Sequence, residues 1–252
     1  MVFEVRKLLS IVIPTRNEPL IEELIAQIKK TLKTLTDDYE ILAVDKSEDD
    51  TAHKLRNLNV KVIDQQSKGL GGAILEGLAA AQGNPVIVMD ADLSHDPKFI
   101  PTFLEKSSEG FDIVIGSRRI KGGGIVGWGI YRQAVSGVGN LLGRRIAGIK
   151  VSDMTSGYRL YTHEVIKTLE FQKFRSSGYA FQLEVLAEAS RKGFRIGAVP
   201  IVFHDRVEGV SKLTKRDVLE FALTVTWLGL LRLINAFRRP GSIVQNRKKC
   251  EE

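Results

Sequence analysis

The chain has few cysteine, histidine and aromatic residues, and it lacks a long apolar run. Its single cysteine, Cys250, excludes a disulfide within the chain and is compatible with a reducing compartment. Aromatic residues make up 7% of the sequence, and the four histidines show no zinc-ligand spacing. The apolar run at residues 8–13 is too short for the core of a signal peptide. We therefore expect a cytosolic protein that does not bind nucleic acid.

The sequence does contain enough apolar residues for a core and a surplus of basic ones. Hydrophobic residues make up 43% of the 252 residues, which is ample for a globular domain. The formal net charge is +7. A basic balance suggests a polyanionic partner, and by itself it does not choose between nucleic acid, a phosphorylated substrate and an acidic membrane.

Strand-like apolar runs alternate with amphipathic helical patterns in the first half of the chain. Strands are predicted at residues 8–13, 40–45, 60–63, 86–90 and 112–116. Helices are predicted at residues 19–35, 51–58, 70–82 and 97–109. Later elements are a glycine-rich loop at 121–129, a helix to about 149, a helix at 178–192 and a strand at 194–203. This alternation predicts an α/β fold with a mainly parallel sheet flanked by helices.

The most informative motif is an apolar run, residues 86–89, that ends in Asp90 and Asp92. Ligand sites of open α/β sheets collect where strands leave the core. Two carboxylates there suit Mg²⁺ or Mn²⁺, which takes one or two protein carboxylates and completes its coordination with water and substrate phosphate. The motif therefore indicates a nucleotide diphosphate, with an acidic turn before the next helix as the alternative.

Polar groups also follow the other predicted strands. Asp45 ends the second strand, where it could bind a base or ribose, or cap the next helix. The glycine-rich residues 67–73 open the third helix, where backbone N–H groups favour an anion. The third glycine of a dinucleotide fingerprint is replaced by Ile74, which disfavours a hydride-transfer enzyme.

These and later motifs together resemble the dolichyl-phosphate mannose synthases, which are inverting GT-A glycosyltransferases of family 2. The matching segments are Pro14-Thr-Arg-Asn-Glu18, Val44-Asp45 with Ser47 and Thr51, Lys68-Gly-Leu-Gly71, Asp90-Ala-Asp-Leu93, Gly116-Ser-Arg118, Gly127-Trp128, Ser136, Ser152-Asp153, Ser156-Gly-Tyr-Arg-Leu-Tyr161, and Asp205-Arg206 with Gly209, Ser211 and Lys212. The resemblance implies a Rossmann-like GT-A fold, GDP-mannose as donor, a dolichyl or other polyprenyl phosphate as acceptor, and Mg²⁺ or Mn²⁺.

The resemblance also assigns roles to individual side chains. The metal ligands would be Asp90, Asp92 and Ser94. The acceptor phosphate would be bound by Arg118, Arg132 and Ser136. The nucleotide sugar would be bound by Pro14, Thr15, Glu18, Asp45, Ser47, Lys68, Gly69, Asp90, Ala91, Asp92, Arg206 and Lys212. The catalytic set would be Asp92, Arg118, Arg132, Arg206 and Lys212.

The implied chemistry needs no catalytic histidine. A phosphate monoester has a second pKa of about 6, so near neutral pH it is largely ionised and can attack without a general base. The protein must instead hold two anions together and stabilise the departing diphosphate, which are tasks for a metal and basic side chains.

Two positions depart from the family pattern. Lys46 stands where a second aspartate is usual, and Ser94 stands where we expect a glutamine. Transfer of glucose from UDP-glucose to the same acceptor therefore remains an alternative. A catalytically silent nucleotide-binding or membrane-binding module is a third hypothesis.

The chain is predicted to end in a membrane-interface helix. Residues 216–239 have helical character, but their uncharged part covers only 221–231, whereas a spanning helix needs about 20 apolar residues. With Trp227 and flanking arginines, the segment is typical of a helix lying in a membrane interface, and a helix packed on the sheet is the alternative. We predict a catalytic domain over 1–213, an amphipathic helix over 214–239 and a basic tail over 240–252. The protein would be peripheral on the cytosolic face of a membrane, and a membrane-anchoring partner protein remains open.

Overall fold

A computed structural model of the protein describes residues 8–171, 174, 176, 178, 180–205 and 215–238. Its strands are β1 (Leu9–Thr15), β2 (Tyr39–Asp45), β3 (Lys61–Asp64), β4 (Val86–Val88), β5 (Ile113–Ser117), β6 (Gly124–Val126), β7 (Arg159–Tyr161), β8 (Ile196–Pro200) and β9 (Val202–His204). Its α-helices are α1 (Ile21–Leu32), α2 (Thr51–Asn57), α3 (Gly69–Ala80), α4 (Ile100–Ser108), α5 (Ile130–Leu142), α6 (His163–Thr168), α7 (Phe181–Arg191) and α8 (Lys215–Arg238). A 3₁₀ turn at Pro97–Phe99 precedes α4, and a π-helical turn at Gly143–Ala147 extends α5.

The described strands form a main sheet in the order β3-β2-β1-β4-β7-β5-β8. Within it β7 runs antiparallel to both of its neighbours, and the other paired strands are parallel. The predicted mixed, mainly parallel sheet flanked by helices is therefore confirmed. Because β1, β2, β4 and β5 point the same way, their carboxyl ends lie along one edge of the sheet.

The sheet is buried on both faces. Along β1, Ile11 and Ile13 belong to a core cluster that includes α1 and α4, whereas Val12 belongs to a second cluster that includes α3 and α7. This division follows from the two-residue period of a strand. Since both faces are covered, the strands read as continuous apolar runs rather than alternating ones.

Two features of the second half differ from the sequence prediction. The segment expected to be one strand at 194–203 is two strands, and the chain leaves the main sheet after Pro200, which pairs with Ser117. β9 then pairs with β6, a strand inside the predicted glycine-rich loop. The break has a physical reason, because proline lacks the N–H that would continue the ladder.

Helix α8 packs one side against the rest of the protein. Val225 is buried in the second core cluster, and a Cβ at Gly229 would overlap Ile146 of the π-helical turn. Arg232 donates a hydrogen bond from Nη1 to the carbonyl oxygen of Arg145 at 3.3 Å. Within the described parts of the chain, none of the helices combines the length and apolar character required to cross a membrane.

Gly77 provides a test of how tightly α3 packs on the sheet. A Cβ there would lie 2.2 Å from Val12 Cγ1 and 3.2 Å from Val44 Cγ2. We expect Gly77→Ala to lower the free energy of unfolding by about 1 to 3 kcal/mol, because overpacking outweighs the gain in helix propensity. The measurement is urea denaturation.

The matched control is Gly137→Ala in α5. A Cβ there would meet only Arg119 Nη1 at 3.5 Å, an ordinary contact. The control should be neutral or stabilising, and an equal loss in both variants would show that α3 packing is not the cause.

Candidate active site

The carboxyl ends of β1 and β2 hold Asp45 in a fixed position. Thr15 pairs with Asp45 in the sheet register, and its hydroxyl donates to Asp45 Oδ1 at 2.7 Å. The Ser47 hydroxyl donates to the same oxygen at 2.6 Å, and the Ser47 backbone N–H donates to Oδ2 at 3.1 Å. A carboxylate accepts about four hydrogen bonds, so the contacts among the described residues leave one position on Oδ2 for a ligand. The helix-capping contact at α2 is made by Asp49, which accepts from the Thr51 N–H at 3.0 Å.

The two loops that follow β1 and β2 are joined by further hydrogen bonds. The Asn17 N–H donates to Ser47 Oγ at 2.8 Å, and Asn17 Oδ1 accepts from the Glu48 N–H at 2.8 Å. The Glu18 N–H donates to Thr51 Oγ1 at 3.0 Å. These contacts bring the predicted donor-binding residues of both strand ends into one wall.

The glycine-rich loop before α3 is arranged differently from the sequence expectation. Glu76 accepts hydrogen bonds from the backbone N–H groups of Gln66 and Ser67, at 2.6 to 3.1 Å. Lys68 and Gly69 follow at the start of α3, where Gly69 has φ = 75°. Two loop amides are therefore already occupied by a protein carboxylate, which leaves fewer for an anion.

The Asp90–Asp92 loop leaves the sheet after β4 and is supported from within the protein. The Asp90 N–H donates to His95 Nδ1 at 3.1 Å, and the Ser94 N–H donates to Asp92 Oδ1 at 3.1 Å. A Cβ at Gly157 would lie 3.1 Å from Asp90 Oδ1, so a larger residue here would crowd the carboxylate. Ala91 is buried between the two aspartates.

His95 acts as an internal support of this loop. Its ring is buried, stacks on Tyr158 with centroids 5.0 Å apart and meets the Phe203 ring edge-on at 5.6 Å. Burial is the main cause that lowers the pKa of His95, although the charges of Asp90 and Asp92 oppose it. Since Nδ1 accepts the Asp90 N–H, the hydrogen-bond pattern assigns the neutral tautomer with its proton on Nε2.

The loop has the ligand chemistry of a magnesium or manganese site that is completed by a substrate. Asp90 and Asp92 offer hard carboxylate oxygens one residue apart. The Ser94 hydroxyl is buried and has no hydrogen-bond partner among the described residues. The same part of the chain contains no group of three His, Cys, Asp or Glu side chains that could hold a metal alone. Two carboxylates with an adjacent hydroxyl fit an ion that takes its remaining ligands from phosphate and water.

Arg118, predicted to bind the acceptor phosphate, is engaged by a buried carboxylate. Its Nε and Nη2 donate to the two carboxylate oxygens of Asp153 at 2.6 and 2.7 Å, and its backbone N–H donates to Asp153 Oδ2 at 3.1 Å. Nη2 also donates to Thr155 Oγ1 at 2.9 Å. Burial alone would raise the pKa of Asp153, but the hydrogen bonds and charge of Arg118 outweigh it and hold this pKa below its ordinary value.

The other two predicted acceptor residues lie on α5. Arg132 forms an ion pair from Nη1 to Asp205 Oδ1 at 2.9 Å, and its guanidinium lies 4.0 Å from the Trp128 ring centroid. Ser136, one turn further along the helix, accepts a hydrogen bond from Arg119 Nη2 at 2.9 Å. The structure therefore brings the predicted acceptor residues to one region and gives each a protein partner. Arg206 and Lys212 lie outside the described residues.

Comparison with known proteins identifies the family. Residues 10–170 match the family model described as Glycosyl transferase family 2. The chain belongs to glycosyl transferase family 2. The predicted family resemblance and the assignment as a glycosyltransferase are thereby confirmed.

Two curated relatives of this family 2 chain illustrate the similarity. An undecaprenyl-phosphate mannosyltransferase from Micrococcus luteus is 35% identical over 232 residues, which cover 87% of this chain and 93% of the relative. A dolichol-phosphate mannosyltransferase from Pyrococcus furiosus is 37% identical over 222 residues, which cover 84% of this chain and 61% of the relative. The chain thus spans about three fifths of the Pyrococcus protein.

A solved structure supports the fold of this family 2 chain. Glucosyl-3-phosphoglycerate synthase from Mycobacterium tuberculosis, in complex with Mn²⁺, UDP and phosphoglyceric acid, aligns with a TM-score of 0.70 at 21% identity. The alignment covers 89% of this chain and 79% of that chain. The predicted GT-A-like architecture agrees with this match.

Sequence reasoning missed the partners that organise this family 2 site. Asp153 and Asp205 were named only as parts of motifs, and Arg119 was not singled out. The fully buried Arg159 was also missed, and its guanidinium donates to the carbonyl oxygens of Met154, Ser156 and Gln182 at 2.6 to 2.9 Å. A charged residue inside an apolar segment was the one available signal for Arg159.

Removing the charge of Asp153 tests how strongly the folded protein depends on the buried ion pair. Asp153→Asn leaves the Arg118 guanidinium buried without its carboxylate, so we expect a loss of about 3 to 5 kcal/mol in the free energy of unfolding. The surface control Asp50→Asn, whose partner is Lys54, should change it by less than about 1 kcal/mol. The measurement is chemical denaturation at neutral pH, and equal effects in both variants would contradict the expectation.

The same pair predicts a pH dependence. Because the native pKa of Asp153 lies below its ordinary value near 3.8, the pair contributes stability above that value and loses it as the pH falls through the native pKa. Below about pH 4, the unmodified protein should therefore lose stability more steeply than Asp153→Asn. Denaturation midpoints measured between neutral pH and the acid transition test this, and parallel curves would refute it.

Proposed function

We propose that this family 2 enzyme transfers mannose from GDP-mannose to dolichyl phosphate or another polyprenyl phosphate, with inversion at the anomeric carbon. The observation that carries the proposal is an arginine-rich cluster beside the Asp90–Asp92 loop. Phe203 connects the two. Its ring centroid lies 5.6 Å from that of His95 and 5.3 Å from the Arg118 guanidinium. A nucleotide diphosphate and an anionic acceptor could thus meet at one sheet edge. The activities for which the curated relatives are named support a polyprenyl phosphate acceptor and mannose as the sugar.

The donor side of the proposal uses the metal ligands and Asp45. Asp90 and Asp92 would hold Mg²⁺ or Mn²⁺ with Ser94 nearby, and the ion would neutralise charge on the leaving diphosphate. Structural neighbours crystallised with UDP and either Mn²⁺ or Mg²⁺ support this use of a divalent ion. Asp45, held by Thr15 and Ser47, would accept a hydrogen bond from the nucleoside.

The acceptor side needs cations but no general base. The phosphate oxygen of the acceptor forms the new bond to the anomeric carbon, and the bond from that carbon to the diphosphate oxygen breaks, so that GDP leaves. His95 offers no free ring nitrogen as a base, because Nδ1 accepts the Asp90 N–H and Nε2 carries the proton. The proposal therefore relies on charge stabilisation by basic side chains.

We also propose that the enzyme works at a membrane surface. Exposed apolar side chains occur on α5, the π-helical turn and α8: Val138, Leu141, Leu142, Ile146, Leu219, Leu223, Trp227, Leu230, Leu233 and Ile234. The same region carries the basic side chains Arg144, Arg145 and Arg232. Apolar and basic groups on one helical surface are typical of interfacial binding, which suits a lipid-embedded acceptor. The cytosolic location and an anchoring partner stay predictions.

Asp92→Asn should abolish sugar transfer, because it removes a carboxylate charge from the proposed metal site. The assay incubates protein with Mg²⁺ or Mn²⁺, detergent-dispersed dolichyl phosphate, and labelled GDP-mannose or UDP-glucose in parallel, and counts label in the organic phase. Asp37→Asn, an exposed carboxylate before β2, is the matched control and should keep full activity.

The parallel assays with GDP-mannose and UDP-glucose distinguish the three hypotheses. Mannose transfer that is lost only in Asp92→Asn supports the proposal. Glucose transfer alone would retain the mechanism and replace the donor. Lack of transfer by folded, lipid-bound protein would instead favour a silent binding module.

The double variant Leu223→Ser/Trp227→Ser should reduce binding to vesicles that contain anionic lipid by roughly tenfold or more, because it removes exposed apolar groups from α8. Co-sedimentation measures the bound fraction. Thr226→Ser, on the same helix, is the control. Unchanged binding by the folded double variant would mean that this surface does not contact the bilayer.

A further inference from the structure

Arg119, which the family resemblance does not assign, lies at the centre of the acceptor cluster. Its backbone N–H donates to Ser117 Oγ at 3.2 Å, and Ser117 Oγ is 2.8 Å from Ser152 Oγ. Its guanidinium reaches α5 and donates from Nη2 to Ser136 Oγ at 2.9 Å. Hydrogen bonds thus hold both the backbone and the guanidinium of Arg119, and the guanidinium contacts the helix that carries two of the predicted acceptor residues.

The charges in this cluster are unequally compensated. Arg118 is paired with Asp153, and Arg132 is paired with Asp205. No carboxylate among the described residues lies within ion-pairing distance of the Arg119 guanidinium, and its Nε is buried without a hydrogen-bond partner. A half-buried guanidinium without a carboxylate partner is a site at which an anion would be stabilised.

Burial and neighbouring charge act on Arg119 in the same direction. Burial is the main cause that lowers the pKa of Arg119, and the positive charges of Arg118 and Arg144 lower it further, against the opposing charge of Asp153. The surroundings of Arg119 therefore disfavour its charged form, and a bound phosphate would stabilise that form.

Ser136 can take part in the same contact. Because its hydroxyl oxygen accepts from Arg119, its own proton remains available for donation to a phosphate oxygen. Gly137 lies beside this pair, and a Cβ at this position would lie 3.5 Å from Arg119 Nη1.

We propose that Arg119, together with Ser136, directly binds the phosphate of the acceptor, beside Arg118, which Asp153 holds in place. This inference rests on the proposed function and adds a residue to it. The competing role for Arg119 is purely structural, as a tie between the end of β5 and α5.

The first experiment compares binding of a short-chain polyprenyl phosphate with binding of the corresponding alcohol, which lacks the phosphate. Arg119→Ala should weaken phosphate binding by roughly ten- to hundredfold, the usual loss for a charge-assisted hydrogen bond, and leave alcohol binding unchanged. The affinity of Arg119→Lys for the phosphate should lie between those of the unmodified protein and Arg119→Ala, because lysine keeps the charge and loses the planar guanidinium. Arg191→Ala, which removes an exposed arginine paired with Glu188, is the matched control.

The second experiment measures steady-state transfer. Arg119→Ala and Ser136→Ala should raise KM for the lipid phosphate and leave KM for the nucleotide sugar unchanged. Equal losses for the phosphate and alcohol probes, or an Arg119→Ala variant that behaves like Arg191→Ala, would refute the inference. If Arg119→Ala fails to fold, Arg119→Lys and Ser136→Ala provide the same comparison.

The two proposals can fail separately. If the unmodified protein transfers neither mannose nor glucose, the proposed function fails, and the phosphate-against-alcohol comparison still decides the role of Arg119. If transfer occurs with normal acceptor kinetics in both Arg119 variants, the function stands and the role of Arg119 is wrong.

Discussion

The buried ion pair between Arg118 and Asp153 is the interaction on which the site depends. Burying two charges costs several kcal/mol for each ion, and the loss is offset only when the geometry is near ideal and other polar atoms are satisfied. Here a two-point guanidinium fork and a backbone N–H all meet one carboxylate. The pair joins the end of β5 to the loop before β7. Since β7 lies antiparallel between β4 and β5, that loop must return to the carboxyl edge, where the pair fixes it.

Arg159 fixes the same loop from the opposite side. Its buried guanidinium is solvated by three backbone carbonyl groups, two of them in the loop and one at Gln182 in α7. The same loop contains Gly157, which faces the Asp90 carboxylate. The loop that fixes Arg118 is therefore also the wall beside the Asp90 carboxylate. A shift of this loop would disturb both halves of the proposed reaction.

The sequence allowed prediction of the parallel half of the fold because β1, β2, β4 and β5 are local apolar runs whose carboxyl ends carry polar residues. It did not allow prediction of β7, which is three residues long, contains Arg159 and is a strand only because two neighbours pair with it. The site shows the same division. The polar residues at strand ends could be predicted from the sequence. The pairing of Arg118 with Asp153 could not, because these residues lie far apart in the chain. The predicted division at residues 213 and 239 remains a prediction.

Electrostatics explain why the proposed anion-binding cluster can contain two carboxylates. Three arginines close together would repel one another in a protein without ligand, and Asp153 and Asp205 each cancel one of those charges. Trp128 further stabilises the cluster, because the guanidinium groups of Arg118 and Arg132 lie 5.2 and 4.0 Å from its ring centroid. Among the described residues, Arg119 is the arginine of this cluster that has no carboxylate partner, and it lies beside the Ser136 hydroxyl. Such a site would attract a phosphate without requiring a large positive surplus, and the reacting phosphate would keep much of its own negative charge for attack on the sugar.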